Sequence, residues 1–130
     1  MAITVNSKKK QVKKTFQELI NDLMTSSSEK VRYNAARVLG EMGDSKAVEP
    51  LIDVLKNDKN GSVRLYAARA LGELGDSKAT EHLIESLRED RNVDVRVRAA
   101  RALGRLGGKI VVEPLVEALN DENSQVCYSN

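Results

Sequence analysis

Apolar side chains recur along the chain at the spacing of one helix face, with polar side chains between them. In residues 31–42 the apolar positions predict a buried stripe on a first helix, here called helix A; they are Val31, Ala35, Val38, Leu39 and Met42. Gly43 follows the stripe and suits the left-handed position that ends a helix. A second stripe over residues 47–55 predicts a further helix, helix B, which Asp44 or Ser45 can cap. The pattern therefore indicates a helical hairpin.

This hairpin pattern returns with a period of 32 residues. The segments 31–62 and 63–94 are identical at 19 of 32 positions, and a third copy begins at Val95. Self-similarity at this period is typical of stacked units that bury their apolar faces on one another. We therefore predict three repeats over residues 28–57, 60–89 and 92–121 within a single domain of residues 1–130.

Both ends of the chain fit the same 32-residue period. Shifting the helix B pattern back by one period places apolar residues on Phe16, Leu19, Ile20 and Leu23, which predicts an N-terminal capping helix over residues 8–24. Ser26 and Glu29 have the spacing of a capping box for the first helix A. Residues 122–130 read as the start of a further repeat or a tail. The helix around Leu115, Val116 and Leu119 then lacks a covering helix, so we expect self-association there.

The repeated motif is Val-Arg-x-x-Ala-Ala-Arg-x-Leu-Gly-x-x-Gly-Asp-x-x-Ala-x-Glu-Pro-Leu-Ile. It resembles the HEAT-like repeats of the phycobilisome lyase type, and it is similar to the consensus of artificial HEAT-like repeat binders. The resemblance implies an all-α fold, a right-handed α-solenoid with helices A outside and helices B lining a concave face. It also implies protein binding as the usual function, with a few members acting as enzymes or lyase subunits.

Composition agrees with thin helical layers. Charged residues make up 31% of the 130 residues and aromatic residues only 3%, so Ala, Val, Leu and Ile must fill the core. The single Cys127 excludes an internal disulfide, no Cys/His set has zinc spacing, and no apolar run is long enough for a membrane span or a signal peptide. We expect a cytoplasmic protein with no cofactor and no membrane contact.

Helix B carries a ladder of acidic residues. Glu49, Glu81 and Glu113 share one repeat position, and Asp53, Glu85 and Glu117 share the position one turn later. This ladder predicts a negative strip that selects a basic protein partner. Alternatively, the acids serve the helix dipole and solubility, and arginines of adjacent helices neutralise them. The residues predicted to bind the partner are Glu49, Asp53, Lys56, Glu81, His82, Glu85, Arg88, Glu113, Glu117 and Asn120.

Arginines recur on helix A in two columns, with Arg98 and Arg105 added in the third repeat. The columns are Arg32, Arg64 and Arg96, and Arg37, Arg69 and Arg101. With the N-terminal lysines they allow an alternative function, nucleic-acid binding. The interleaved Glu41 and Glu73 and the scarcity of aromatic residues argue against it. We expect the first column to pair with linker acids such as Asp58 and Asp90, and the second to form a solvated face.

No set of residues predicts catalysis. His82 is the only histidine and stands between Glu81 and Glu85, with no second histidine to complete a metal site. Tyr33 and Tyr66 either anchor a partner or cover apolar surface between repeats. We therefore predict a non-enzymatic protein-interaction module that binds through helices B. A second alternative is an accessory subunit of a lyase or another enzyme.

Overall fold

The computed structural model describes residues 14–107. Within this range the chain forms six α-helices and no strand, so the all-α repeat fold is confirmed. Single turns of 3-10 helix at Ser45–Ala47 and Ser77–Ala79 separate each helix A from its helix B. The helices are α1 (Phe16–Thr25), α2 (Glu29–Met42), α3 (Val48–Asn57), α4 (Gly61–Leu74), α5 (Thr80–Glu89) and α6 (Val93–Leu106).

The helices form two rows. Helices A, which are α2, α4 and α6, pack side by side along much of their length, whereas α1, α3 and α5 form a second row of helices B with lighter mutual contact. Each helix B packs most extensively against the helix A that follows it in the chain, α1 on α2, α3 on α4 and α5 on α6. The tightest hairpin thus joins helix B of one repeat to helix A of the next.

The core between the rows is aliphatic. Leu39, Leu71 and Leu103 occupy one repeat position on helices A and are all fully buried, and alanines fill the places where helices approach closely. Helix B contributes residues such as Leu51 and Leu83, which are also fully buried. Burial of aliphatic side chains in successive layers is the main stabilising contribution in a fold that has so few aromatic residues. Met42, predicted to lie in the buried stripe, is instead 47% exposed, because it stands at the last turn of α2.

The turn between helices A and B is the same in the first two repeats. Gly43 and Gly75 end α2 and α4 with φ of 73° and 69°, the left-handed conformation that glycine adopts without strain. Asp44 and Asp76 then accept a hydrogen bond from the backbone N–H two residues later, at 2.9 Å in each repeat. The prediction that Asp44 or Ser45 caps helix B is therefore wrong, since these aspartates cap the 3-10 turn and α3 and α5 begin without a side-chain cap.

The N-terminal helix differs from the prediction in two respects. It begins at Phe16 rather than at residue 8, because Thr15 is extended and caps α1 in a reciprocal capping box with Glu18. Residues 8–13 of the predicted helix lie outside the described range. The predicted capping box at Ser26 is also wrong, since the hydroxyl of Ser28 caps α2 by accepting from Val31 N–H.

The predicted third helix B and everything after it lie outside the described residues. The predicted partner-binding residues Glu113, Glu117 and Asn120 belong to this part of the chain, and so does the apolar surface predicted to self-associate. None of the helices within residues 14–107 combines the length and the apolar character that crossing a membrane requires.

Candidate partner-binding surface

The predicted binding residues of the first two repeats occupy matching positions on α3 and α5. We call their surface the helix B face; its exposed members are Glu49, Asp53 and Lys56 on α3 and Glu81, Glu85 and Arg88 on α5. His82 lies on the same helix but is half-buried. One acid stands in the first turn of each helix, the second acid lies one turn later, and a cation stands in the last turn. This order matches the helix dipole, which favours acids near the N-terminus and cations near the C-terminus of a helix.

The four carboxylates of the helix B face form no ion pair with any residue between 14 and 107. Asp53 accepts a hydrogen bond of 2.8 Å from the side chain of Asn57, one turn further along α3. No side chain within residues 14–107 forms an ion pair with Glu49, Glu81 or Glu85. The expectation that arginines of adjacent helices neutralise the ladder therefore finds no support in the described part of the chain. Within residues 14–107 no ion pair neutralises the carboxylates of the helix B face.

Two grooves lie at equivalent places between successive helices B. The larger, of about 510 Å³, runs between the C-terminal ends of α3 and α5. Lys56, Glu85 and Ser86 line it. The smaller groove, of about 200 Å³, lies between α1 and α3 and is lined by Met24, Asp53 and Val54. These residues precede the three lining residues of the larger groove by one repeat of 32 residues. The grooves give the face a shape that recurs with the repeat, which sequence reasoning did not predict.

Buried ion pairs hold the linkers beneath these grooves. The guanidinium of Arg64 donates to both carboxylate oxygens of Asp90, at 2.9 and 3.2 Å, and to the backbone carbonyl of Asp58 at 2.7 Å. Arg32 binds Asp58 and the carbonyl of Ser26 in the same way. Because all these side chains are below 10% exposed, the pairs are structural. The predicted pairing of Arg32 and Arg64 with Asp58 and Asp90 is confirmed.

Arg96 is the third arginine of the first column, and within the described residues it makes only one of the two contacts that Arg32 and Arg64 make. Arg96 donates to the backbone carbonyl of Asp90 at 2.6 Å, as Arg64 does to Asp58. Its Nε is buried and has no hydrogen-bond acceptor among residues 14–107. A period of 32 places Glu122, outside that range, where the earlier repeats have Asp58 and Asp90.

The second arginine column also contacts acids. Arg37 pairs with Glu41 at 3.2 Å and Arg69 with Glu73 at 3.4 Å, each across one helical turn. In the third repeat Arg105 replaces this acid. Burial, with repulsion from the nearby Arg101 and Arg69, lowers the pKa of Arg98 from its ordinary value. Positive charge therefore accumulates toward α6.

The two tyrosines cover surface between repeats. Tyr33 on α2 and Tyr66 on α4 stack with ring centroids 5.2 Å apart and an interplanar angle of 16°. Both are half-buried and pack against the core, so the stack joins the first two helices A. Around His82 no group of three or more metal-ligating side chains is found within residues 14–107.

The comparison with protein families agrees with this geometry. The family model of HEAT repeats matches residues 16–96 and 80–128, which together span most of the chain. The chain belongs to the HEAT repeat family. Twenty-two chains of solved structures also match significantly, whereas no curated protein sequence does.

Two solved structures place this HEAT repeat chain among its relatives. The complex of CpcE and CpcF of phycocyanin lyase from Nostoc sp. PCC7120 contains a chain that is 33% identical, with a TM-score of 0.76 over 87% of the present chain. The match covers only 45% of that chain, so the HEAT repeats described here span less than half of its length. The crystal structure of an engineered protein is 24% identical with a TM-score of 0.65, covering 90% of the present chain and 60% of its own, and shows the fold alone.

Proposed function

We propose that this HEAT repeat protein binds a basic segment of another protein through the helix B face. HEAT repeats are in general protein-interaction modules, and this chain belongs to their family. The observation that carries the finer assignment is the contrast between the two rows of helices. Arg32 and Arg64 on helices A are held in buried ion pairs, whereas the exposed acids on helices B have no ion-pair partner within the described range.

The grooves support an extended or helical partner rather than a compact one. Each groove brings a carboxylate, Asp53 or Glu85, to an opening between neighbouring helices B. A partner whose basic side chains follow the repeat can place one cation at each opening. Each of these contacts is exposed and contributes little alone. Several of them on one rigid surface can together give useful affinity.

The test is a charge reversal with a matched control. The probe is a labelled peptide rich in lysine and arginine, and its affinity for the 130-residue chain is measured by fluorescence anisotropy at several salt concentrations. The variant Glu85→Lys should weaken binding about fivefold, the upper range for one exposed charge pair. The control Glu41→Lys makes the same charge change at an exposed position on helix A and should leave binding nearly unaltered.

Equal losses from both variants would show that net charge, not the helix B face, controls binding, and would reject the assignment. The same assay with a labelled DNA oligonucleotide tests the nucleic-acid alternative. Two of the three arginines in the first column are no longer available to that alternative, because Arg32 and Arg64 are buried and paired.

A second candidate function is a subunit of an enzyme complex. The relative of 33% identity comes from a complex of two chains of a phycocyanin lyase, and the present chain aligns with it over 87% of its length. Replacing CpcE or CpcF by this chain in that complex and assaying lyase activity on phycocyanin tests the idea directly. Restored activity would support the subunit role, and an inactive but stable complex would argue against it.

A further inference from the structure

The two walls of the larger groove carry opposite charges. On the α3 side Lys56 stands in the last turn of the helix, and Lys59 follows in the linker. On the α5 side Glu85 and Glu89 lie one helical turn apart, and Arg91 adds a cation in the linker after α5. All five residues are exposed. A partner that enters this groove between α3 and α5 therefore meets lysines on one side and carboxylates on the other.

The charges on the walls differ from those at the floor of the groove. No ion pair within residues 14–107 involves Lys56, Lys59, Glu85 or Glu89. The acids of the linkers are neutralised instead, because Asp58 and Asp90 are held in the buried pairs with Arg32 and Arg64. The paired charges fix the floor, and the charges on the walls are the ones that a partner can meet.

The walls favour a helical occupant. Both α3 and α5 bond their backbone groups internally, so the groove offers no free backbone edge to an extended segment. A helix satisfies its own backbone groups and needs no such edge. The groove has a volume of about 510 Å³. Since a helix with its side chains is about 10 Å across, this volume holds a row of its side chains rather than the helix itself.

Charge decides which helix fits. A helix that lies over the groove turns one flank to α3 and the other to α5, because residues three and four apart share a flank. Acids on the first flank meet Lys56 and Lys59, and bases on the second meet Glu85 and Glu89. A helix with bases on both flanks places one flank beside the lysines, where like charges repel. The net charge of +2 on the chain adds to that repulsion.

We propose that the partner segment at the larger groove is a charge-split helix, with acidic side chains on the flank that faces α3 and basic side chains on the flank that faces α5. The proposal rests on the function proposed for the helix B face and makes its partner more specific. Bases still lie opposite Glu85, and the acids opposite Lys56 and Lys59 are the new element. In the smaller groove Asp53 is the only exposed charged residue among the described lining residues. The charge split therefore selects the larger groove and sets the register of the partner along the stack.

The test compares three synthetic helical peptides of the same length. The split peptide has glutamates on one flank and lysines on the other, the mixed peptide has the same residues with both charges on each flank, and the lysine peptide has lysines on both flanks. Circular dichroism verifies equal helicity, and fluorescence anisotropy at low salt measures affinity for the 130-residue chain. The split peptide should bind more tightly than either of the others, and about fivefold more tightly than the mixed peptide, the upper range for one exposed charge pair.

A charge reversal on the α3 side should have opposite effects on two of these peptides. Lys59→Glu should weaken binding of the split peptide several-fold, because acids then face an acid, and should strengthen binding of the lysine peptide. The control Lys46→Glu makes the same charge change at an exposed residue that precedes α3, whereas Lys59 follows it, and should leave both affinities nearly unaltered. Opposite changes do not arise from unfolding, which weakens the binding of both peptides.

The outcomes separate this proposal from the function on which it rests. If Glu85→Lys weakens binding but Lys59→Glu acts no differently from Lys46→Glu, the helix B face binds a basic partner and the charge-split helix is wrong. The charge-split helix is also wrong if the mixed or the lysine peptide binds the native chain as tightly as the split peptide. If Glu85→Lys leaves the binding of the split and the lysine peptides unchanged, the acidic wall takes no part and both proposals fail.

Discussion

Adding a single methyl group to a glycine should change stability differently at two equivalent positions. The changes are Gly72→Ala in α4 and Gly104→Ala in α6. Both replace glycine by alanine in the same repeat position of a helix A, so both gain about 1 kcal/mol of helix propensity. What differs is the space: the new Cβ would lie 2.9 Å from backbone and side-chain atoms of Ala102 at Gly72, and no described atom lies within 4 Å at Gly104.

The magnitude follows from that distance. Relieving the contact at Gly72 requires α4 and α6 to separate by several tenths of an ångström, and overpacking of this kind costs about 1–3 kcal/mol. Because the propensity gain is common to both variants, the difference between their free energies of unfolding is the overpacking cost alone. Gly104→Ala should be more stable than the native chain, and Gly72→Ala less stable than Gly104→Ala by that amount.

Urea denaturation followed by far-ultraviolet circular dichroism measures the difference, with native-state hydrogen exchange to detect repeats that unfold separately. In a double-mutant cycle, Ala102→Gly removes one of the two close atoms, so Gly72→Ala should cost less stability in that background than in the native chain. Equal stability of the two alanine variants would refute the argument that the glycine–alanine crossings set the spacing of helices A.

Three further changes test other parts of the structure, each by urea denaturation. Asp90→Ala should destabilise the chain by about 3–5 kcal/mol, because it leaves the buried guanidinium of Arg64 without its carboxylate; a loss no larger than that of an exposed pair would contradict the structural role. Thr15→Ala should cost about 1 kcal/mol and increase hydrogen exchange in α1 only, since it removes the capping box. In a double-mutant cycle Tyr33→Ala and Tyr66→Ala should show a coupling of about 1 kcal/mol, and additive effects would argue against the stack.

The local elements were predictable because their causes are local. The apolar stripes, the glycines that end α2 and α4 and the aspartates that follow them act within a few residues. The errors were also local: Ser26, Ser28 and Thr15 all offer a hydroxyl, and spacing alone does not tell which one meets a free backbone N–H. The pairing of Arg32 with Asp58, 26 residues away, was predictable only because the repeat places both residues in the same frame.

The candidate binding surface was predictable as a set of positions but not as a shape. A period of 32 aligns Asp53 with Glu85, so the sequence reveals a column of acids on equivalent turns. Whether arginines of adjacent helices reach those acids depends on how the rows are placed, and the structure provides them with no ion-pair partner within residues 14–107. The grooves arise between helices, so no single segment encodes them.

By itself the sequence determined the all-α repeat fold and the equivalence of positions from one repeat to the next, because periodicity and helix-ending residues act along the chain. Only the tertiary structure decided that each helix B packs most extensively on the following helix A, and that glycine and alanine meet where helices A cross. It also decided that α6 leaves the third glycine open within the described residues. A repeating pattern defines which residues are equivalent, whereas packing in three dimensions defines which of them touch.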